Sequence, residues 1–504
     1  MQETHDRTCH KEATMTRLAA VSLLALLSAV SLSPFAVAED ERPNLAGDPR
    51  VADAIEAWKE WVEYQAAING VPGVSVGVVH DQELLATGAF GLANPAAGAP
   101  ARPDTLYSIC SISKLFTSIA VMQQRDAGKV RLDDAVGHHV DWFDIQDAHP
   151  DDEPITVRGL LTHSSGLPRE SDYPYWTGAD YPFPTRSEIV ARLGEQQTLY
   201  PASRYFQYSN LGLTLAGEVV ASASGQPFGE YIRGSILDPL DMTDTFTEVP
   251  EDLRGGRLAI GHSARKRDGT RDVIPPFQAR GIAPAAGFAS NVPDLAKFAM
   301  WQFRLLSTGG NEVLRASTLR EMQRVHWVDP DWKTTWGLGF GIQRQKDRTL
   351  VGHGGGCPGY YTQIRLEPKT RIAIIVLTNA IGSEVGFYTA KGFELISPVV
   401  EKALENPDGV PERDPELDRY KGIYETVWGQ SAVVRWEDGL AVLGLQTRDP
   451  KAGLVKLKKS GEHVFVRIRE DDKEQPGEEF VFDVAEDGTV TRFKQHSNWS
   501  RKVR

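Results

Sequence analysis

Cysteine is nearly absent: the 504-residue chain has three, Cys9, Cys110 and Cys357. So sparse a set excludes a fold built on a disulfide framework, even in an oxidising compartment. Concentrated basic runs are absent too, and the formal net charge is −13. That excludes nucleic acid and anionic membrane surfaces as expected partners. There is no His-Glu-x-x-His and no thiol cluster, and His138-His139 are merely adjacent. No metal site is expected and no cofactor is implied. No apolar run reaches the roughly 20 residues of a membrane helix. Apolar residues at 41% and charged residues at 24% are nonetheless ordinary for a globular protein.

What is present at the start reads as export. Arg17 precedes an apolar run from Leu18 to Val30, and Ala36-Val37-Ala38 is a small-x-small cleavage signal before Glu39-Asp40-Glu41. Residues 1–38 are expected to be a cleaved signal peptide, with an uncleaved anchor as the alternative and Met15 as an alternative start. No cysteine closely follows the run, which speaks against lipid anchoring. The mature chain is then expected in the periplasm or outside the cell, with no membrane span.

Beyond the leader, 45–68 carries helical spacing through Val51, Ile55, Trp58 and Val62. Val71 to Val79 reads as a buried strand. A polar turn follows at His80-Asp81-Gln82-Glu83, then a second strand to about Phe90. From Ser111 to about Ile236 the pattern is helical with long loops. The loop Tyr173 to Pro184, rich in Tyr, Trp and Pro, is a candidate to line a cleft. Strand signals return over 336–342, 361–366 and 372–377, and a helix follows toward Glu401. This order predicts one α+β unit over 45–404, its sheet made from both ends of the segment with a helical region inserted. Residues 405–415 form a polar, Pro-rich linker. Residues 416–504 alternate in short strands and predict a small all-β domain without a catalytic grouping. One expectation is that this domain packs over the cleft and restricts substrate size.

Chemistry concentrates in three stretches. The first is Ser111-Ile112-Ser113-Lys114 at the start of a helix expected to run to Ala127. Ser111 lies in the first turn, where free N–H groups favour negative charge, and Lys114 projects one turn on from the same face. A serine and an amine so stacked can share a proton, the minimum for an activated nucleophile. The spacing is weak alone and recurs at Ser263/Lys266 in a polar loop. The second stretch is Tyr208-Ser209-Asn210 in a polar break before a buried helix. A tyrosine near an ammonium group can act as a base, and Asn210 offers a donor and an acceptor. The third is His353-Gly354-Gly355-Gly356-Cys357. Its glycines let backbone approach a ligand, and His353 brings a group that titrates near neutral pH. Gly354-x-Gly356-x-x-Gly359 fits a dinucleotide loop only formally, because Pro358 blocks the helix. The oxyanion loop of α/β-hydrolase esterases also reads His-Gly-Gly-Gly, but it comes before a Gly-x-Ser-x-Gly nucleophile, and no such motif is expected anywhere in this chain. Cys110 and Cys357 flank two of the stretches. A bond between them requires the stretches to converge, and two buried free thiols are the expectation.

In that order, Ser111-x-x-Lys114, Tyr208-x-Asn210 and His353-x-Gly355 resemble the three motifs of the class C β-lactamase and D-Ala-D-Ala carboxypeptidase family of serine hydrolases. Flanking text agrees at Leu160 to Pro168 and Ala285 to Ser290. The likeness covers about residues 50–400, and the tail from Tyr420 is similar to a β-barrel domain appended to some members. The resemblance implies an antiparallel sheet of five or more strands flanked by helices, an all-helical lobe, and a site between them. It also implies that Ser111 forms an acyl-enzyme with an ester or amide carbonyl of a small-molecule or peptide-like substrate. Lys114 and Tyr208 share the proton work, and which is the base stays open. The N–H groups of Ser111 and Gly356 form the oxyanion hole, Asn210 positions the acyl side chain, and His353 and Gly355 line the far wall. Gly354 departs from the pattern by lacking a hydroxyl that would bind a substrate carboxylate, a loss of about 1.5–3 kcal/mol. Esters, amides or peptides without that carboxylate are therefore favoured over β-lactams and D-Ala-D-Ala peptides. A catalytically silent binder of cell-wall fragments is the rival from another class.

Overall fold

Two apolar strands from distant parts of the chain form the centre. In the computed structural model, which describes residues 44–173, 175–177, 180–469 and 475–504, Gly73–His80 pairs antiparallel with Ile372–Thr378, Val76 opposite Val376. The expected signal peptide lies outside the described residues. Every residue of both strands is buried, which is why their sequences run almost unbroken in apolar residues. The sheet has nine strands. Their order is Ala99–Pro100, Glu83–Asn94, Gly73–His80, Ile372–Thr378, Tyr360–Glu367, Arg348–Cys357, Gly341–Gln345, Thr335–Trp336 and Trp327–Val328. It is made from both ends of the α+β segment, as the order of elements implied.

Side-chain alternation decides what covers each face. Val79, Ile364, Leu366, Ile375 and Leu377 pack with the helices Ser113–Asp126 and Val292–Thr308. Val74, Val76, Val78, Ile374 and Val376 pack instead against Trp58, Trp61 and Phe393 of the helices Pro49–Ile68 and Val385–Glu405. The helical lobe belongs to the first side, where Ser113–Asp126 lies against Asn210–Ser224. The strand expected over 336–342 is broken at Gly339, whose φ of +80° turns the chain. Among the described residues no helix is long and apolar enough to cross a membrane.

Residues 422–502 form a closed eight-stranded barrel, sealed where Gly422–Thr426 meets Asn498–Lys502 through Tyr424 and Lys502. Tyr424, Val433, Phe465, Phe480, Phe482 and Phe493 fill its interior, so it is a packed core. Alternate residues point outward, and Ile423, Ala432, Val434, Ala441 and Leu443 share a core with Trp58 and Trp61. Trp61 Nε1 donates to Thr447 O at 2.9 Å, and Gln65 Nε2 to Leu445 O at 2.8 Å. Arg50 Nη1 clasps the linker carbonyls of Asn406 and Gly409 at 3.0 and 3.1 Å. The barrel therefore sits behind the Pro49–Ile68 helix, on the sheet face away from Ser111. This corrects the expectation that it packs over the cleft of its own chain. Its apolar stripe matches the outer face of that helix.

Candidate active site

Ser111 enters the site on a strained turn. Cys110, fully buried, has φ +52°, a left-handed conformation costing a residue with a side chain about 1–3 kcal/mol. The helix therefore starts two residues later than expected, at Ser113, and Ser111 sits in the 3-10 turn Cys110–Ile112. Three bonds hold the turn: Ile109 N–H to Phe288 O at 2.8 Å, Ser113 Oγ to Cys110 O at 2.5 Å, and Thr362 Oγ1 to Ile109 O at 3.1 Å.

Lys114 is fully buried. Its Nζ lies 2.8 Å from Asn210 Oδ1, 2.7 Å from Ala285 O and 3.2 Å from Ser111 Oγ. Burial pushes the amine well below its ordinary pKa. The Glu170 carboxylate pulls it part of the way back, and the Arg169 charge adds to the fall. The two carbonyl oxygens can only accept. A neutral Lys114 gives its two hydrogens to them, and its lone pair is left facing the Ser111 hydroxyl. Tyr208 stands beside the pair, with its ring centre 4.9 Å from Nζ. Burial pushes the Tyr208 phenol up, while the nearby Ser111 hydroxyl and the Arg169 charge pull against it. The two groups are thus biased oppositely, Lys114 toward a neutral base and Tyr208 toward a protonated phenol.

Asn210 is the first residue of its helix, which Ser209 caps by accepting from Gly212 N–H at 2.8 Å. Its amide is spoken for at both ends, Oδ1 by Lys114 and Nδ2 by Glu170 Oε1 at 2.8 Å. Glu170 in turn accepts from Tyr175 Oη and pairs with Arg169 Nε at 3.2 Å. Sequence reasoning missed Glu170, since no local spacing links it to Asn210 forty residues on. The loop Tyr173 to Pro184 serves the site from behind. Tyr175 and Phe183 are buried in it with rings 5.0 Å apart, so within the described residues it packs on its own domain.

The third stretch is the end of the strand Arg348–Cys357. The two-residue turn at Lys346-Asp347 makes Gln345 and Arg348 a hydrogen-bonded pair, so even-numbered residues of the strand direct N–H and C=O toward Gly341–Gln345. That neighbour ends opposite Gly352. Gly354 and Gly356 therefore turn their backbone groups to an open edge, and Gly356 is exposed. Gly355 packs on the turn that carries Ser111, where an added Cβ would collide with Ile109 O and Thr362 Oγ1. His353 is buried, with Nδ1 donating to Gly354 O at 2.5 Å. Burial, aided by Lys114 and opposed by the Gly354 carbonyl, pushes its pKa down to about 3. This overturns the expectation of a group titrating near neutral pH. Cys110 and Cys357 are joined by a disulfide, Cα to Cα 5.7 Å, and are not free thiols. The stretches converge so closely that the two residues flanking them meet.

The beta-lactamase family model matches residues 58–392. The chain belongs to the beta-lactamase family, a family of serine hydrolases. "Beta-lactamase-like protein 2" of Dictyostelium discoideum is 25% identical over 373 residues, 72% of this chain and 66% of that protein. The chain thus spans about two thirds of that relative's length. The octameric penicillin-binding protein homologue from Pyrococcus abyssi superposes with a TM-score of 0.60 at 24% identity, over 89% of this chain and 100% of that one. The D-amino acid amidase from Ochrobactrum anthropi superposes with a TM-score of 0.55 at 26% identity, over 70% of this chain and 99% of that one.

Within this family member, the second Ser-x-x-Lys is only a surface feature: Lys266 Nζ pairs with Asp272 at 2.6 Å in an exposed hairpin. Gly73-Val74-Ser75-Val76-Gly77 has the spacing of an esterase nucleophile motif. Ser75, however, is buried in the central strand and bonded to Arg102 O and Tyr107 Oη. Arg365, one residue on from Ile364, donates from Nη1 to Gly341 O at 3.3 Å. His163 was visible only as flanking text. It lies with its ring 4.3 Å from that of Tyr208, and its Nδ1 accepts from Ser209 N–H at 3.1 Å.

Proposed function

We propose that the protein is an exported serine hydrolase that cleaves an amide or ester bond through an acyl-enzyme on Ser111. The observation that carries this is the buried Lys114 amine, which lies 3.2 Å from Ser111 Oγ and is held there by two carbonyl oxygens, Asn210 Oδ1 and Ala285 O. Lys114 takes the hydroxyl proton as Ser111 attacks. Tyr208 gives a proton to the leaving group, work whose usual worth is about 10²–10⁴ in rate. The N–H groups of Ser111 and Gly356 hold the oxyanion. Asn210 keeps Lys114 aimed and has one amide hydrogen left for the acyl side chain, while His353 and Gly355 form the far wall. Similarity to a D-amino acid amidase supports amide chemistry, and the missing hydroxyl at Gly354 supports substrates without a carboxylate there. A disulfide persists best in oxidising compartments, which supports export.

One observation favours a second reading, a penicillin-binding or β-lactam-hydrolysing enzyme. The guanidinium of Arg169, half exposed, stands 4.9 Å over the Tyr208 ring and could receive a carboxylate. Incubating the protein and Ser111→Ala with a penicillin, with intact mass and drug loss followed together, separates the readings. No adduct and no loss, alongside Ser111-dependent cleavage of amino-acid amides or aryl esters, is the expected result. A lasting Ser111 adduct or rapid drug loss favours the second reading. Activity unchanged in Ser111→Ala overturns both.

A further inference from the structure

We propose that the Cys110–Cys357 disulfide is a positioning element of the active site. It fixes the Ser111 and Gly356 N–H groups relative to each other, so that opening it lowers turnover rather than substrate binding. This rests on the acyl-enzyme reading above. The two cysteines are 247 residues apart in sequence, and each is the immediate neighbour of one N–H in question. They come from elements that no strand pairing joins. Ser111 rides on a turn whose preceding residue, Cys110, holds a left-handed φ. Gly356 lies near the end of its strand, beyond the reach of Gly341–Gln345, where pairing is on one side only, to Tyr360–Glu367. What links the two is the Gly355 contact on Ile109, the Thr362 bond to Ile109 O, and the disulfide. Of these, only the disulfide joins the residues directly bonded to Ser111 and Gly356.

The consequence of opening it follows from sterics. The bond takes up two electrons and two protons to become two thiols. A dithiol reductant supplies both and leaves as a cyclic disulfide. Two thiols keep a van der Waals separation that bonded sulfurs do not, and the site is closely packed around them, Cys110 fully and Cys357 almost fully buried. The turn and the strand end must move apart, and the strain at Cys110 is free to relax. A displacement of about 1 Å at a reacting centre costs about a hundredfold in rate. Both N–H groups act on the oxyanion, so the loss falls on kcat.

The test compares the full chain with Cys110→Ala/Cys357→Ala, using p-nitrophenyl acetate as substrate and phenylboronic acid as a probe of tetrahedral geometry. The expected result is a kcat ten- to hundredfold lower and a boronate affinity weakened in parallel, with KM within about twofold and a cooperative melt. A folded variant with unchanged kcat and boronate affinity overturns the proposal. So does a variant in which KM alone rises. If the variant does not fold, wild-type protein is reduced with dithiothreitol, the thiols are counted by alkylation and mass, and the sample is reoxidised. Loss and recovery of kcat in folded protein supports the proposal, and kcat unchanged in the reduced form overturns it. Untreated wild type without Ser111-dependent hydrolysis would instead overturn the acyl-enzyme reading itself.

Discussion

Replacing Glu170 by Gln removes a charge while nearly keeping a shape. Glu170 Oε1 accepts from Asn210 Nδ2 at 2.8 Å, and Asn210 Oδ1 accepts from Lys114 Nζ at 2.8 Å. The carboxylate stands one amide away from the amine, roughly 7 Å, where opposite charges attract by about 2 kcal/mol at an effective dielectric near 20. Its side chain is 21% exposed, so solvent screens part of that, leaving about 1 kcal/mol. The sign is fixed by which form of Lys114 the charge favours. Glu170 favours the ammonium and holds its pKa up. Without it the pKa falls further, and neutral amine persists to lower pH. The assay is the rate of Ser111 labelling by a fluorophosphonate against pH, which needs no natural substrate. In Glu170→Gln the acid limb should move to lower pH, even if the plateau also falls because Asn210 is less well held. Stability should drop by about 1.5–3 kcal/mol, since glutamine cannot accept from both Asn210 and Tyr175. A limb that stays in place or moves up would refute the assignment of that limb to Lys114.

Other outcomes follow from the same geometry. Tyr208→Phe should lower kcat by about 10²–10⁴ on an amide, and by less on an activated aryl ester whose leaving group needs no proton; equal losses on both would contradict a proton-donating Tyr208. Gly355→Ala should cut Ser111 labelling at least about tenfold, because its Cβ meets Ile109 O and Thr362 Oγ1, with circular dichroism showing a retained fold. The kcat/KM profile should carry no ionisation of His353 near pH 6.5, since that ring stays neutral down to about pH 3; a limb removed by His353→Asn would count against this. Trp61→Ala should cost about 3–5 kcal/mol in denaturant unfolding, opening a cavity between sheet and barrel.

The strands Gly73–His80 and Ile372–Thr378 were legible because both faces are buried and every position must be apolar. The three motifs were legible because each packs reactive residue types or glycines into a short spacing, and the fold brings all three together. Glu170 was not, because its bond to Asn210 is made by folding and leaves no local pattern. The neutrality of His353 was hidden for the same reason: it comes from burial and from Lys114, 239 positions earlier in the chain. The disulfide required knowing that two stretches converge within bonding distance. The position of the barrel required knowing which outward stripe matches the Pro49–Ile68 helix, which alternation alone does not say.

That helix has a consequence for the order in which the protein is made. Trp58 donates to Tyr388 O, 330 residues later, Gln65 and Trp61 to Leu445 and Thr447, 380 and 386 later, and Glu63 holds Arg504, 441 later. At translation rates of 5–20 residues per second, the apolar faces of this early helix wait roughly 20–80 s for their partners. During that time the sheet is incomplete too, because Ile372–Thr378 is also still to come. Completion of the sheet and of the helix's contacts with the barrel thus waits until nearly all of the sequence has left the ribosome. Such a delay keeps a chain threadable, the condition for crossing a membrane in extended form.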